Sequence, residues 1–305
     1  MSEPAITILL STYNGEVFLA EQLASFKSQR FTNWRLLWRD DGSSDNTVAI
    51  MRAFCAEIGD GRCVESAGSG LHLGAAPSFL RLLAEAAEAP MVAFADQDDV
   101  WLPDKLLRAV AHLATAGDTP TLYCAQQFLV DEHLRGHRLS APHGNAPGFP
   151  ACLTQNIANG NTLAMNRAAA ALITAIPAPE GTIHDWWSYI VVSACGGRIY
   201  FDAQPQVLYR LHKTNLIGRA RPVSGRAIAA MRRGSRIFMT MMRRHANTLA
   251  ANPEILAPAA RADLALVQSG LKGSFSSRFG ALRCPRFKRR TALENILFRY
   301  WFITG

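Results

Sequence analysis

The strongest constraint on how this chain can fold is an alternation. Through residue 118, apolar runs the length of a strand alternate with segments whose apolar residues recur at helical spacing, joined by short connections. "AITILLS" is a short apolar run; "EVFLAEQLASFKSQ" then sets Val17, Leu19, Leu23 and Phe26 on one helical face; "WRLLWRDD" is apolar again. "SSDNTVAIMRAFCAEIG" opens with good helix-capping residues and closes at Gly59, "APSFLRLLAEAAEA" predicts a further helix leading into "MVAFA", and Pro103 marks the start of another that ends near Gly117. This β-α-β rhythm predicts an α/β fold, a mostly parallel sheet with helices on both faces. Ligands of such open sheets bind beyond the C-terminal ends of the strands. Three polar clusters stand there: "STYNG", "RDDGSSD" and "DQDD".

The last cluster poses a physical problem. Asp96, Asp98 and Asp99 end an apolar run, and like charges held close raise one another's pKa unless a cation or solvent relieves them. An isolated acidic turn would serve only to cap the next helix. At a strand end in a nucleotide-binding topology, carboxylates suit Mg²⁺ or Mn²⁺, which in turn would hold a diphosphate.

Composition narrows the class. The 305 residues are 49% apolar, enough for a substantial core. No stretch reaches a membrane span, and "AAAALITAIPA" is too short and carries a proline. The N-terminus lacks a basic signal-peptide region, so a cytoplasmic location is expected, with the inner face of the cell membrane as an alternative. Six scattered cysteines (Cys55, Cys63, Cys124, Cys152, Cys195, Cys284) show no zinc spacing and are expected to be reduced, buried thiols. The net charge of +8 is uneven. Residues 1–205 carry 13 Lys/Arg against 21 Asp/Glu, and residues 206–305 carry 19 against 3. The basic end is suited to an anionic partner.

"ITILLSTYNG", "WRDDGSSDNT" and "DQDDVWLPDKL", in this order and spacing, resemble the inverting family-2 glycosyltransferases with a GT-A nucleotide-diphospho-sugar domain. The resemblance covers about residues 5–218. Its later motifs "GNTLAMNR", "HDWW" and "YRLHKTNLIG" look most like bacterial rhamnosyltransferases of surface-polysaccharide (O-antigen) assembly. It implies a metal-dependent GT-A domain over residues 1–218, with a nucleotide-binding half to about 118 and an acceptor half over 119–218, followed by a basic helical region over 219–305.

Residue by residue, the resemblance has Thr12 and Tyr13 line the nucleotide pocket, with the Tyr13 ring against the base, and Asp41 accept from the pyrimidine N–H with Asp40 in support. Asp98 would coordinate the metal, Asp96 would lie near the ribose or donor sugar, and Asp99 would orient the sugar or the metal's waters. His72 and Gly74 are further donor contacts, whereas Trp101 reads as a packing residue. Asp185 in "GTIHDWWSYIVVSA" would be the catalytic base, although an Asp before an apolar run also reads as a helix N-cap. His184, Trp186 and Trp187 would wall the sugar site, and burial by the tryptophans would make Asp185 more basic. His212 and Arg210 would meet the metal or diphosphate, although Arg210 and Lys213 read equally as a solvated charge run. Asn159, Gly160, Asn161 and Thr162 would line the acceptor side, although "NGN" alone reads as a turn.

The expected reaction is inverting transfer of a sugar, rhamnose from dTDP-rhamnose in the first instance, onto a glycan or lipid-linked glycan. Alternatives are a UDP-hexose or UDP-N-acetylhexosamine transferase, or a non-catalytic membrane- or nucleic-acid-binding protein on a degenerate transferase fold. "RAIAAMRRGSRIFMTMMRRHANTLAAN", with Ile228, Met231, Ile237 and Met241 on a stripe, "RCPRFKRR" and the closing "ILFRYWFITG" read either as a membrane-surface anchor or as a packed helical appendage or oligomer contact. Nucleic acid is disfavoured, since no aromatic-basic platform accompanies the charge.

Overall fold

The computed structural model describes residues 6–59, 61–141, 147–212 and 223–305, with backbone alone for 223–234. Lys213, the rest of the "KTNLIG" stretch and the side chains of Ile228 and Met231 lie outside the described residues.

The elements are β1 (Ile6–Thr12), α1 (Leu19–Lys27), β2 (Trp34–Asp40), α2 (Thr47–Ile58), β3 (Cys63–Glu65), α3 (Ala75–Glu85), β4 (Met91–Ala95), β5 (Val100–Trp101) and α4 (Lys105–Ala114). They continue as β6 (Thr121–Val130), β7 (Arg138–Leu139), β8 (Ala164–Asn166), α5 (Arg167–Ala175), α6 (His184–Ala194), β9 (Arg198–Arg210), α7 (Val223–Ala250), α8 (Pro258–Lys272), α9 (Phe275–Leu282) and α10 (Ala292–Thr304). One sheet has the order β3-β2-β1-β4-β8-β6-β9-β5, with β7 on β6. β1, β2, β3 and β4 are parallel, as the alternation predicts, and β6 and β9 are parallel over their length. β8 runs antiparallel to both β4 and β6.

The chain winds outward from β1 to β3 and then crosses back to β4 on the other side of β1. This reversal opens a crevice at the C-terminal ends of β1 and β4. Register aligns those ends: Thr12 pairs with Asp40 and Leu10 with Ala95, so all three polar clusters leave the sheet along one edge.

Side chains alternate across each strand and feed two cores. Ile8 and Leu10 pack with Leu23, Phe26, Trp38 and Trp101. Leu9, on the other face, packs in a core with Phe79, Phe94 and Trp187 that runs on into α7, α8 and α10 through Met242, Leu264, Phe298 and Trp301.

The cysteine expectation is corrected for one pair. At Gly59, with φ of 89°, the chain leaves α2 for β3, bringing Cys55 and Cys63 to a Cα separation of 5.2 Å, where they form a disulfide. Cys124 and Cys152 are buried free thiols, and Cys195 and Cys284 are partly buried.

Candidate functional site

At the end of β2 the two acids divide their work. Asp40 accepts from the backbone N–H groups of Gly42 (2.9 Å) and Ser43 (2.7 Å) and from the hydroxyls of Ser43 and Thr12 (2.6 and 3.1 Å). It therefore holds the turn. Asp41 is held by Arg39 Nη1 (2.6 Å), Ser78 Oγ (2.9 Å) and the backbone N–H groups of Leu73 (2.7 Å) and Gly74 (2.8 Å). Burial works to raise its pKa, but the bonds from Leu73, Arg39, Gly74 and Ser78 outweigh it and keep the carboxyl below its ordinary value. The His72 ring, hydrogen-bonded at Nδ1 to the Asp41 carbonyl, lies 4.9 Å from the Tyr13 ring, which is 47% exposed. Two open rings thus flank an ionised carboxylate. Tyr13 is fixed by Gln97, whose side chain accepts from the Tyr13 N–H (2.8 Å) and donates to its carbonyl (2.9 Å). Nothing in the periodicity or charge of the sequence pointed to Gln97.

Beyond β4 the acidic loop is gripped from three sides. Asp99 is fully buried; its Oδ2 accepts from Asn161 Nδ2 (2.6 Å) and its Oδ1 from the Arg210 N–H (3.1 Å). Burial, then Asp98 and Asp96, push its carboxyl well above the ordinary value. Asp96 is pushed up to about 8, first by burial, then by the charges of Asp98 and Asp185, against the pull of Lys105. Lys105, also missed in the sequence, is buried with Nζ 3.4 Å above the Trp101 ring and makes no hydrogen bond. Burial lowers its pKa to about 7, while Asp99 and Asp96 oppose the shift. His212 Nε2 lies 2.8 Å from Asp98 Oδ2, its ring packed against Phe18.

Facing this loop is Asp185, in the first turn of α6. Its Oδ1 accepts from Asn156 Nδ2 (3.1 Å) and the Trp186 N–H (2.5 Å), and its Oδ2 from the Gly160 N–H (2.8 Å). Burial raises its pKa to about 6 despite the bonds from Gly160, Trp186 and Asn156. A carboxylate oxygen can accept about two bonds, so Oδ2 keeps one lone pair for a further donor.

Several expected site residues stand elsewhere. Trp187 is fully buried, stacked on His245 at 5.6 Å, and Trp186 donates to the Cys152 carbonyl (2.7 Å) and turns toward Phe238 and His245. Neighbouring helical residues point about 100° apart, so the pair cannot form one wall. His184 is sandwiched between Phe79 (4.1 Å) and Phe94 (4.9 Å), and burial lowers its pKa to about 3, which keeps it neutral. Arg210 is buried behind the acidic loop, donating to the carbonyls of Asp98 (2.9 Å) and Glu132 (2.5 Å) and to Glu21, with its guanidinium over Phe18. It grips the loop where a diphosphate ligand had been expected. Thr12 and Thr162 are fully buried, and Thr162 bonds the Asn159 carbonyl (2.9 Å); Asn161 serves Asp99.

Among the described residues no group of three or more His, Cys, Asp or Glu side chains could hold a metal alone. Asp98 and His212 supply one carboxylate and one imidazole. That donor set fits a Mg²⁺ or Mn²⁺ ion whose remaining ligands are phosphate oxygens and water.

This is the fold of a glycosyltransferase: the chain belongs to glycosyl transferase family 2, whose model matches residues 7–171. A dTDP-rhamnosyl transferase, RfbG of Shigella flexneri, is 25% identical over 223 residues, covering 68% of this chain and 73% of its own. WfgD of Escherichia coli, a UDP-Glc:alpha-D-GlcNAc-diphosphoundecaprenol beta-1,3-glucosyltransferase, is 33% identical over 106 residues, covering 35% of this chain and 40% of its own. Among solved structures, S. aureus TarS in complex with UDP-GlcNAc superposes with a TM-score of 0.55 at 17% identity over 92% of this chain and 89% of that one. The mannosyltransferase PcManGT of Pyrobaculum calidifontis, with GDP-Man and Mn2+, gives 0.50 at 18% identity over 99% and 86%. Both share the fold.

Proposed function

We propose that this family-2 transferase moves a sugar, with inversion, from a nucleoside-diphospho-sugar to a hydroxyl of a glycan or lipid-linked glycan in bacterial envelope polysaccharide synthesis. The carrying observation is that the Gly160 N–H donates to Asp185 Oδ2 (2.8 Å) while the next side chain, Asn161 Nδ2, donates to Asp99 (2.6 Å), so the candidate base and the D-x-D element share one crevice. The nucleobase packs on the open Tyr13 ring, whose other neighbour is His72 at 4.9 Å, beside Asp41. A divalent ion held by Asp98 and His212 would neutralise charge on the departing diphosphate. Asp96 lies toward the donor sugar. Asp185 Oδ2 takes the acceptor's hydroxyl proton as the oxygen attacks the anomeric carbon from the face opposite the diphosphate. Asn156 and the Gly160 and Trp186 N–H groups orient that carboxylate, and Arg210, Asn161 and Asp99 hold the acidic loop to receive the donor.

The likeness to RfbG over two thirds of the chain favours dTDP-rhamnose as donor. The shorter, higher-identity match to WfgD supports a UDP-hexose instead. A panel of dTDP-, UDP- and GDP-sugars with Mn²⁺, scored by nucleotide release, tests both. Release from dTDP-rhamnose alone supports the first reading, and release from UDP-glucose overturns it.

A further inference from the structure

Helix α10 is apolar on two opposite faces. One face buries Phe298, Trp301 and Phe302 against Phe287 and the core. The other presents Leu293, Ile296 and Tyr300, 76%, 66% and 54% exposed, at spacings that keep them on one stripe. A surface helix ordinarily turns charge outward, so this outer stripe is apolar surface awaiting cover. Its surroundings are cationic: residues 272–305 hold eight Lys/Arg and one Glu, Glu294, which caps α10 with Thr291. Lys272, Arg283, Arg286, Lys288, Arg290 and Arg299 are exposed. Phe275 and Phe279 on α9 add two further open rings.

We propose that the outer face of α10, with the cations of the 283–290 loop, docks on an anionic lipid bilayer. Charge selects this occupant over a second copy of the chain. A two-fold contact would set one patch against its twin, and two strongly basic segments would repel. An anionic bilayer attracts them, and exposed apolar residues that follow a loop of exposed Lys and Arg suit its headgroup boundary. The loop is also tied to the site. The Thr154 hydroxyl donates to the Lys288 carbonyl (3.2 Å) and the Arg290 N–H to Gln155 Oε1 (3.3 Å), next to Asn156, which donates to Asp185. A docked bilayer would thus hold its surface near the segment that orients the base, where a lipid-linked acceptor must enter. This last step rests on the proposed function; the docking does not.

The test is flotation of the full chain, without donor or acceptor, on vesicles of phosphatidylcholine with or without phosphatidylglycerol. Binding is expected to the anionic vesicles only, weakening with salt. Leu293→Asp with Ile296→Asp should cut it at least about tenfold, and charge reversal at Arg283, Lys288 and Arg290 about fivefold per cation. All five side chains are exposed, and unchanged melting temperatures will show that the variants fold. No flotation on anionic vesicles, equal flotation on neutral ones, or double-Asp binding equal to the parent's would overturn the proposal. So would a dimer that the double-Asp variant dissociates without affecting vesicle binding.

Discussion

Asp98 Oδ2 and His212 Nε2, 114 residues apart in the chain, meet at 2.8 Å. Antiparallel pairing of β5 with β9, Val100 opposite Leu208, carries the end of one strand back to the loop before the other. The proposed ion site is thus assembled by a tertiary contact. Asp98→Ala and His212→Ala should each abolish the Mn²⁺-dependent part of the thermal stabilisation by dTDP or UDP. In the parent protein that stabilisation should reach about 3 kcal/mol at a hundredfold excess over Kd. Undiminished Mn²⁺-linked stabilisation in both variants would remove the pair from the ion site.

Asp185→Asn should lower kcat by about 10²- to 10⁴-fold, the usual contribution of a general base, while leaving donor affinity within about twofold. Steady-state kinetics with nucleotide titration separates the two effects. Full turnover in this variant would exclude Asp185 as the base.

The pKa of about 6 at Asp185 makes a pH prediction with a definite sign. The base must be ionised, so kcat/KM should fall by about tenfold per unit below pH 6. Because the folded value is raised, the carboxyl's contribution to stability is complete below its unfolded value near 4 and is lost as pH rises through 6. Urea unfolding should show roughly 3 kcal/mol of loss from this group over that interval, and Asp185→Asn should lack the slope. A variant whose stability follows the parent's pH curve would contradict the assignment.

At Gly160 an added Cβ would stand 2.8 Å from His184 Nε2 and 3.5 Å from Asp185 Cβ. His184 cannot retreat between Phe79 and Phe94. Gly160→Ala should therefore cost about 1–3 kcal/mol of stability and reduce kcat more than it changes KM for the donor. Calorimetry and initial rates check this; an unperturbed kcat would mean that the Asp185 position tolerates the shift.

Arg210→Met should leave the carbonyls of Asp98 and Glu132 without their donor and destabilise the protein by about 2–4 kcal/mol. Donor binding should weaken because the acidic loop loosens. Unchanged stability with weakened diphosphate binding would instead restore Arg210 as a direct ligand.

The fold was legible because strand-to-helix alternation and polar strand ends are local signals, and β1 to β4 followed them. β8, three residues long and antiparallel to its neighbours, carries too little pattern to announce its direction. Asp98, Asp185 and Tyr13 could be singled out as candidates because clustered acids and a strand-end aromatic leave a sequence signature. Arg210 and Trp187 were misread because residue type does not reveal side-chain direction: one guanidinium turned behind its loop and one indole into the core. Gln97 and Lys105 act through contacts made only in the folded chain, a backbone clasp and a buried cation above Trp101. The 8-residue separation of Cys55 and Cys63 became a bridge because the chain reverses after Gly59.

The stack of Trp187 on His245 has a consequence for recombination. The helix bearing Asp185 leans against a socket built from a segment past residue 171, where the family match stops. Chimaeras that exchange the donor half alone should inherit a new nucleotide preference with turnover intact. Grafts joined between β9 and α7 would bring a foreign socket, tilt the helix and stall the enzyme even with every acid in place.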